Sequence, residues 1–173
     1  MSRVMLRDAT PGDAAAILAI YAPYVEETAI SFERVPPDEA TMRERIAQRL
    51  ASHAWLVAEQ GGRVVGYAYA GPFAVRAAYR LAAEVSVYVD RDAGRGGIGR
   101  VLYGALIERL RERGMHTAIG IVALPNPASV ALHERLGFRH VGTFREIGAK
   151  FGRWHDVGWW QLMLDRATAP GDM

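Results

Sequence analysis

Apolar positions recur along the chain in two rhythms, and the switches between them mark its elements. Val4-Met-Leu-Arg-Asp8 reads as a short strand. Thr10-Pro11-Gly12-Asp13 then supplies an N-cap and an N1 proline for a helix through about Tyr24. After a loop over Glu26–Glu33, Pro36-Pro37-Asp38 caps a second helix, in which Met42, Ile46 and Leu50 fall on one face at fourfold spacing. Trp55 to Glu59 is a compact apolar strand, Gly61-Gly62 a hairpin turn, and Val64 to Ala70 its partner.

Beyond Gly71-Pro72 lies an irregular stretch with Arg76 and Tyr79, followed by the alternating strand Glu84-Val-Ser-Val-Tyr-Val89. A glycine-dense turn, Gly94-Arg-Gly96-Gly-Ile-Gly99, leads from that strand into a helix through Leu110. Thr117 to Ala123 is a buried strand broken by Pro125-Asn126-Pro127, and Ala128 to Leu136 a short helix stopped by Gly137. Phe138 to Phe144 and His155 to Leu164 end the series as strands. The order β-α-α-β-β-β-α-β-α-β-β has no repeat or linker and predicts one α/β (α+β) domain over residues 1–166, with 167–173 as a flexible tail.

Composition narrows the classes. A chain of 173 residues, 50% of them hydrophobic, suffices for one domain with a sizeable core. It has no cysteine, which excludes disulfides, a thiol nucleophile and cysteine-held metal, and no His/Asp/Glu spacing predicts a metal site. Neither a leader pattern nor an apolar run long enough for a bilayer is present, so the expectation is a cytoplasmic protein without membrane attachment. Net charge is +2, with arginines scattered among acids, which gives no support to nucleic-acid binding. Lys150 is the only lysine among 21 basic residues.

The glycine turn predicts a phosphate cradle, because it leaves uncrowded N–H groups at the positive end of a helix. It satisfies G-x-G-x-x-G, but a dinucleotide site also requires an acid at the end of the next strand, and none stands in or after Thr117–Ala123. It also has P-loop glycine spacing, but Arg100-Val101 replaces the Lys-Ser/Thr that would meet the γ-phosphate and Mg²⁺.

The segment resembles the acyl-CoA motif of the GCN5-related N-acetyltransferase (GNAT) superfamily, Arg/Gln-x-x-Gly-x-Gly/Ala. Gly94 holds the first place, Gly97 and Gly99 the glycine places, and the arginine is displaced to Arg95. Leu6-Arg-Asp-Ala-Thr-Pro-Gly-Asp13 and Asn126-Pro-Ala-Ser-Val-Ala-Leu-His-Glu-Arg-Leu-Gly-Phe138 resemble that family's first strand and C-terminal motif. Phe32-Glu33, Trp55–Glu59, Gly66–Pro72, Arg76–Tyr79, Ser86–Val89 and Lys150–Asp156 are similar to the phosphinothricin and methionine sulfoximine acetyltransferases. The resemblance implies a mixed, mostly antiparallel central sheet, flanked by about four helices and splayed between its fourth and fifth strands. It also implies acetyl-CoA as co-substrate, a small amino-acid-like acceptor and a homodimer.

The resemblance further implies roles. Val87, Tyr88 and Val89 offer backbone groups to the pantetheine arm; Arg95, Gly96, Gly97, Ile98, Gly99 and Arg100 hold the pyrophosphate; Asn126 and Ser129 add contacts. Glu84 becomes the general base, although a strand-end glutamate also reads as a solvated residue; burial would raise its pKa and suit it to accept a proton. His133 stands where many members carry a tyrosine that protonates the departing thiolate, and a packed helical histidine is the alternative reading. Arg76, with Phe32, Tyr79, Val85 and Ser86, is expected around the acceptor, Arg76 meeting an acid group. Trp154, Trp159 and Trp160 read as core or interface. The alternatives are an acetyltransferase for another amine or a protein N-terminus, and a non-catalytic acyl-CoA-binding regulatory module.

Overall fold

In a computed structural model, which describes residues 3–93 and 96–164, the chain runs β1 (Met5–Asp8), α1 (Ala14–Glu27), α2 (Glu39–Ser52), β2 (Ala54–Gln60) and β3 (Arg63–Pro72). It continues through β4 (Ala82–Val89), α3 (Ile98–Glu112), β5 (Thr117–Leu124), α4 (Pro127–Arg135), β6 (Arg139–Lys150) and β7 (Arg153–Met163). The expected order of elements is the observed one. The expected tail at 167–173, with Gly94 and Arg95, lies outside the described residues.

Local chemistry explains most boundaries. The Asp38 carboxylate accepts the Thr41 N–H at 2.8 Å and opens α2. Gly61 and Gly62, both at positive φ, turn β2 into β3. Two elements outrun the sequence expectation. Helix α1 continues past Pro23 to Glu27, because its buried stripe of Ala14, Ile17, Tyr21 and Val25 crosses the proline without a break. Strand β6 reaches Lys150 through register shifts at His140/Gly142 and Phe144/Gly148, where period-two patterning is lost.

The strands form one sheet in the order β1-β2-β3-β4-β5-β7-β6. Every pairing is antiparallel except that of β4 with β5. Each face carries a core. Leu102, Leu106 and Leu110 of α3 pack with Leu56, Val85, Ala118 and Trp160 on one side; on the other, Ile17, Tyr21, Met42 and Ile46 of α1 and α2 cover Trp55, Val57 and Tyr67. Each fully buried leucine contributes roughly 2 kcal/mol through area removed from water. With both faces covered, the gap between diverging strands is one place where the sheet itself opens.

Candidate active site

That opening is set by strand pairing. Strands β4 and β5 pair only from Ala82↔Thr117 to Val85↔Gly120. Beyond this apex, Ser86–Val89 and Ile121–Leu124 diverge, yet β3 holds the far edge of β4 to Val89 and β7 holds that of β5 to Leu124. The result is a wedge with stiff sides. Alternation points Val85, Val87 and Val89 toward α3, and Glu84, Ser86 and Tyr88 toward the opposite face.

The glycine turn closes the α3 side. Gly97 is the N-cap of α3 at φ 75°, a conformation that favours glycine, and its carbonyl accepts the Val101 N–H at 3.1 Å. The N–H groups of Ile98, Gly99 and Arg100 therefore have no partner within the helix. A side chain at Gly96 or Gly97 would enter open space, so the amides face an uncrowded region. Ile98 is buried and anchors the turn. Across the wedge, Asn126 caps α4 by accepting the Ser129 N–H at 3.1 Å. The opening, its amide rim and this capped helix fit the thin pantetheine arm and pyrophosphate of a CoA thioester.

On the opposite face, a cavity of about 370 Å³ is lined by Phe32, Tyr69, Glu84, Ser86 and Tyr88 on one side and by Ile121, Ala123, Ile147, Val157 and Trp159 on the other. It meets the wedge because both diverging strands contribute to its wall. The Phe32 ring lies flat on β6: a Cβ at Gly148 would stand 2.2 Å from its Cε2. The Glu84 carboxylate forms no hydrogen bond or ion pair among the described residues; burial raises its pKa above the ordinary 4.5, against a smaller opposing effect of Arg49.

Of the expected acceptor residues, Phe32, Glu84 and Ser86 meet in this cavity. Arg76 does not line it: it is exposed, at the start of the short 3-10 turn Ala77–Tyr79. Tyr79 connects to it indirectly, edge-on to Phe73, which is edge-on to Trp159. The Val85 side chain faces α3, and its carbonyl lies 3.3 Å from the Tyr103 hydroxyl oxygen. Sequence reading did not single out Tyr69, and it grouped Trp159 with core or interface; Trp159 lines the cavity, Trp160 is in the core and Trp154 is exposed. Lys150 is buried, its Nζ donating to the Val25 and Ser31 carbonyls at 2.5 and 2.7 Å.

His133 sits under the apex, 4% exposed. A Cβ at Gly120 would fall 2.2 Å from its Nε2, so the ring rests against the β5 backbone. Nδ1 lies 2.8 Å from the Ser129 carbonyl and Nε2 2.8 Å from the Tyr103 hydroxyl. A carbonyl only accepts, which assigns the proton to Nδ1 and makes Tyr103 the donor to Nε2. Burial lowers the His133 pKa below 6.5 and keeps the ring neutral. Among the described residues no three His, Asp or Glu side chains group to hold a metal ion.

Sheet, wedge and amide turn together define an acyl-CoA-dependent acyltransferase fold. Residues 6–159 match the acetyltransferase (GNAT) domain, and the chain belongs to that family. It is 39% identical to phosphinothricin N-acetyltransferase of Streptomyces viridochromogenes, over 96% of this chain and 91% of that protein. It is also 39% identical to the L-methionine sulfoximine/L-methionine sulfone acetyltransferase of Pseudomonas aeruginosa, over 92% and 94%. The crystal structure of a phosphinothricin acetyltransferase from Sinorhizobium meliloti in complex with acetyl-CoA superposes with a TM-score of 0.93 at 35% identity, covering 100% of this chain and 94% of that one. The yncA structure from Salmonella typhimurium with its cofactor acetyl-CoA gives 0.96 at 35%, covering 99% and 100%. The chain is an acetyl-CoA-dependent N-acetyltransferase.

Proposed function

We propose that this acetyltransferase modifies the α-amino group of a small amino-acid-like acceptor of the phosphinothricin, methionine sulfoximine or methionine sulfone type, by direct transfer in a ternary complex. The observation that carries this is Glu84: a carboxylate with raised pKa and no hydrogen-bond or ion-pair partner among the described residues, in a small cavity that opens on the wedge. Acetyl-CoA supplies the acyl group as an activated thioester. Glu84, directly or through water, takes the proton that the acceptor nitrogen loses as it bonds to the acetyl carbon. The diverging edge of β4, through Val87, Tyr88 and Val89, holds the pantetheine arm and polarises the carbonyl. The turn from Arg95 to Arg100 and the α4 start at Asn126 and Ser129 hold the phosphates. Without a cysteine in the chain, a thiol acyl-enzyme is excluded.

Arg76, with Tyr79, is assigned to the α-carboxylate, although neither side chain lines the cavity. For His133 the geometry favours positioning over acid catalysis, since both ring nitrogens are engaged and the ring is neutral. Its expected role as proton donor to the thiolate would require one of those contacts to open. A cytoplasmic location belongs to the same reading, and a homodimer accords with Val141, Phe144 and Phe151, all more than half exposed on or beside the edge strand β6.

CoA release measured over phosphinothricin, methionine sulfoximine, methionine sulfone, ordinary amino acids and N-terminal peptides tests the reading. Turnover confined to the amino-acid analogues is expected. Preference for peptides would move the activity to protein N-termini; tight acetyl-CoA binding with no turnover on any amine would leave a binding module.

A further inference from the structure

A second cavity of about 370 Å³ lies on the same face of the sheet, beyond Tyr69, whose ring lines both spaces. Its polar groups are unequally satisfied. Arg45 pairs with Glu33 at 2.7 Å. The guanidinium of Arg49, half-buried on the last turn of α2, makes no hydrogen bond or ion pair among the described residues. The Trp55 indole stacks on Tyr69 at 4.4 Å, and its buried Nε1 has no hydrogen-bond partner there either. One cavity wall thus carries a guanidinium short of acceptors, a group suited to an anion.

The cavity is within reach of the reacting centre. The Arg49 guanidinium lies over Gly71, where a Cβ would stand 2.7 Å from Cζ. Gly71 is the cross-strand partner of Glu84. Facing side-chain positions of an antiparallel pair are about 5 Å apart, so the guanidinium and the base are separated by no more than one amino-acid side chain. The lining of the first cavity contains no cation, and its outer wall is apolar. An acceptor with its amine at Glu84 and a second acid on its side chain finds a partner for that acid over Tyr69.

We propose that this cavity is a subsite for an acidic side-chain terminus of the acceptor, a phosphinate or carboxylate held by Arg49, which favours acidic amino-acid acceptors over neutral sulfones. The proposal rests on the amino-acid acetyltransferase reading above. Arg76 is left for the α-carboxylate that every such acceptor carries.

The test compares kcat/KM for phosphinothricin, acidic at its terminus, with kcat/KM for methionine sulfone, neutral there, in the wild type, R49Q and R49K. The wild type is expected to prefer phosphinothricin. R49Q should lower its kcat/KM by roughly 10- to 100-fold, the range for a lost charge-assisted hydrogen bond, and R49K should restore part of it. The field of Arg49 at Glu84 acts on both acceptors alike and cancels in their ratio. A ratio unchanged in R49Q, or an equal loss on both acceptors, overturns the subsite. If neither acceptor is acetylated, the acceptor reading fails separately, and calorimetric phosphinothricin binding then decides: sensitivity to R49Q sustains the subsite, and insensitivity overturns it.

Discussion

Glu84 and His133 flank one structural step, the Val85↔Gly120 pair at which the parallel strands part, and burial drives both toward their neutral forms. Their surroundings differ in one respect. Both nitrogens of His133 are hydrogen-bonded, to Ser129 and Tyr103, whereas the Glu84 carboxylate has no such partner among the described residues. A group whose sites are all used is held in place and cannot exchange a proton without breaking a contact. A desolvated group with open valences is poised to take one. The difference separates a base from a brace, although the two residues share the same few ångströms of sheet.

Removing the base should have the largest effect. Glu84→Gln is expected to lower kcat/KM at neutral pH by about 10²- to 10⁴-fold, the span of general base catalysis, with the KM for acetyl-CoA unchanged. In the wild type, activity should fall as pH drops through the raised Glu84 pKa, and the variant should lack that limb. Stability should move the other way. Between 4.5 and its raised value the folded state keeps a proton that the unfolded chain releases, so stability declines as pH rises through that window. E84Q avoids burying the charge and should melt above wild type at neutral pH; equal activity there would remove Glu84 as the base.

The brace is tested from the strand and from the ring. Gly120→Ala would place a methyl 2.2 Å from His133 Nε2, beside the β5 backbone, with Tyr103 behind the ring. Overpacking of this kind costs about 3 kcal/mol, or a fall of about 10 °C in Tm for a chain of this length. His133→Phe keeps an aromatic ring but leaves the buried Tyr103 hydroxyl only the longer 3.3 Å contact to the Val85 carbonyl, at about 1 kcal/mol. Its pH signature is specific. Because the folded ring titrates below 6.5, the folded wild type binds fewer protons than the unfolded chain just under that pH and loses stability as pH falls. The variant lacks this loss, so the difference between the two proteins should narrow in acid. Turnover that collapses in H133F while its fold survives would return His133 to the acid role.

The sequence made one side of this comparison more legible than the other. Element order, the glycine turn and the Asn126 cap rest on residues close together in the chain, and local patterning exposes them. The apex does not. Where β4 and β5 cease to pair depends on contacts between residues 35 positions apart, Val85 and Gly120, and the partner of His133 lies 30 positions away on α3. Tyr69 and Trp159 were hidden for a related reason: a strand covered on both faces alternates apolar with apolar, so period two no longer tells cavity from core. Arg49 read as one more charge on an amphipathic helix until the missing side chain of Gly71 placed its guanidinium over the sheet.

Asn126 offers the smallest and finest test, because its two functions reside on different atoms of one amide. Its oxygen accepts the Ser129 N–H and caps the helix that carries His133, while its nitrogen takes no part in the cap and is free to donate to a cofactor. Asn126→Ala should cost about 1 kcal/mol, as for a lost N-cap, and weaken acetyl-CoA as well. Asn126→Asp keeps the capping oxygen and places a negative charge at the positive end of α4, so stability should hold or rise by a few tenths of a kcal/mol. The same change puts a carboxylate where the proposed site receives phosphates and takes away the amide donors. A raised KM for acetyl-CoA with an unchanged Tm in N126D would therefore assign Asn126 to the cofactor. If KM and Tm follow the cap together in both variants, the residue belongs with His133 to the brace.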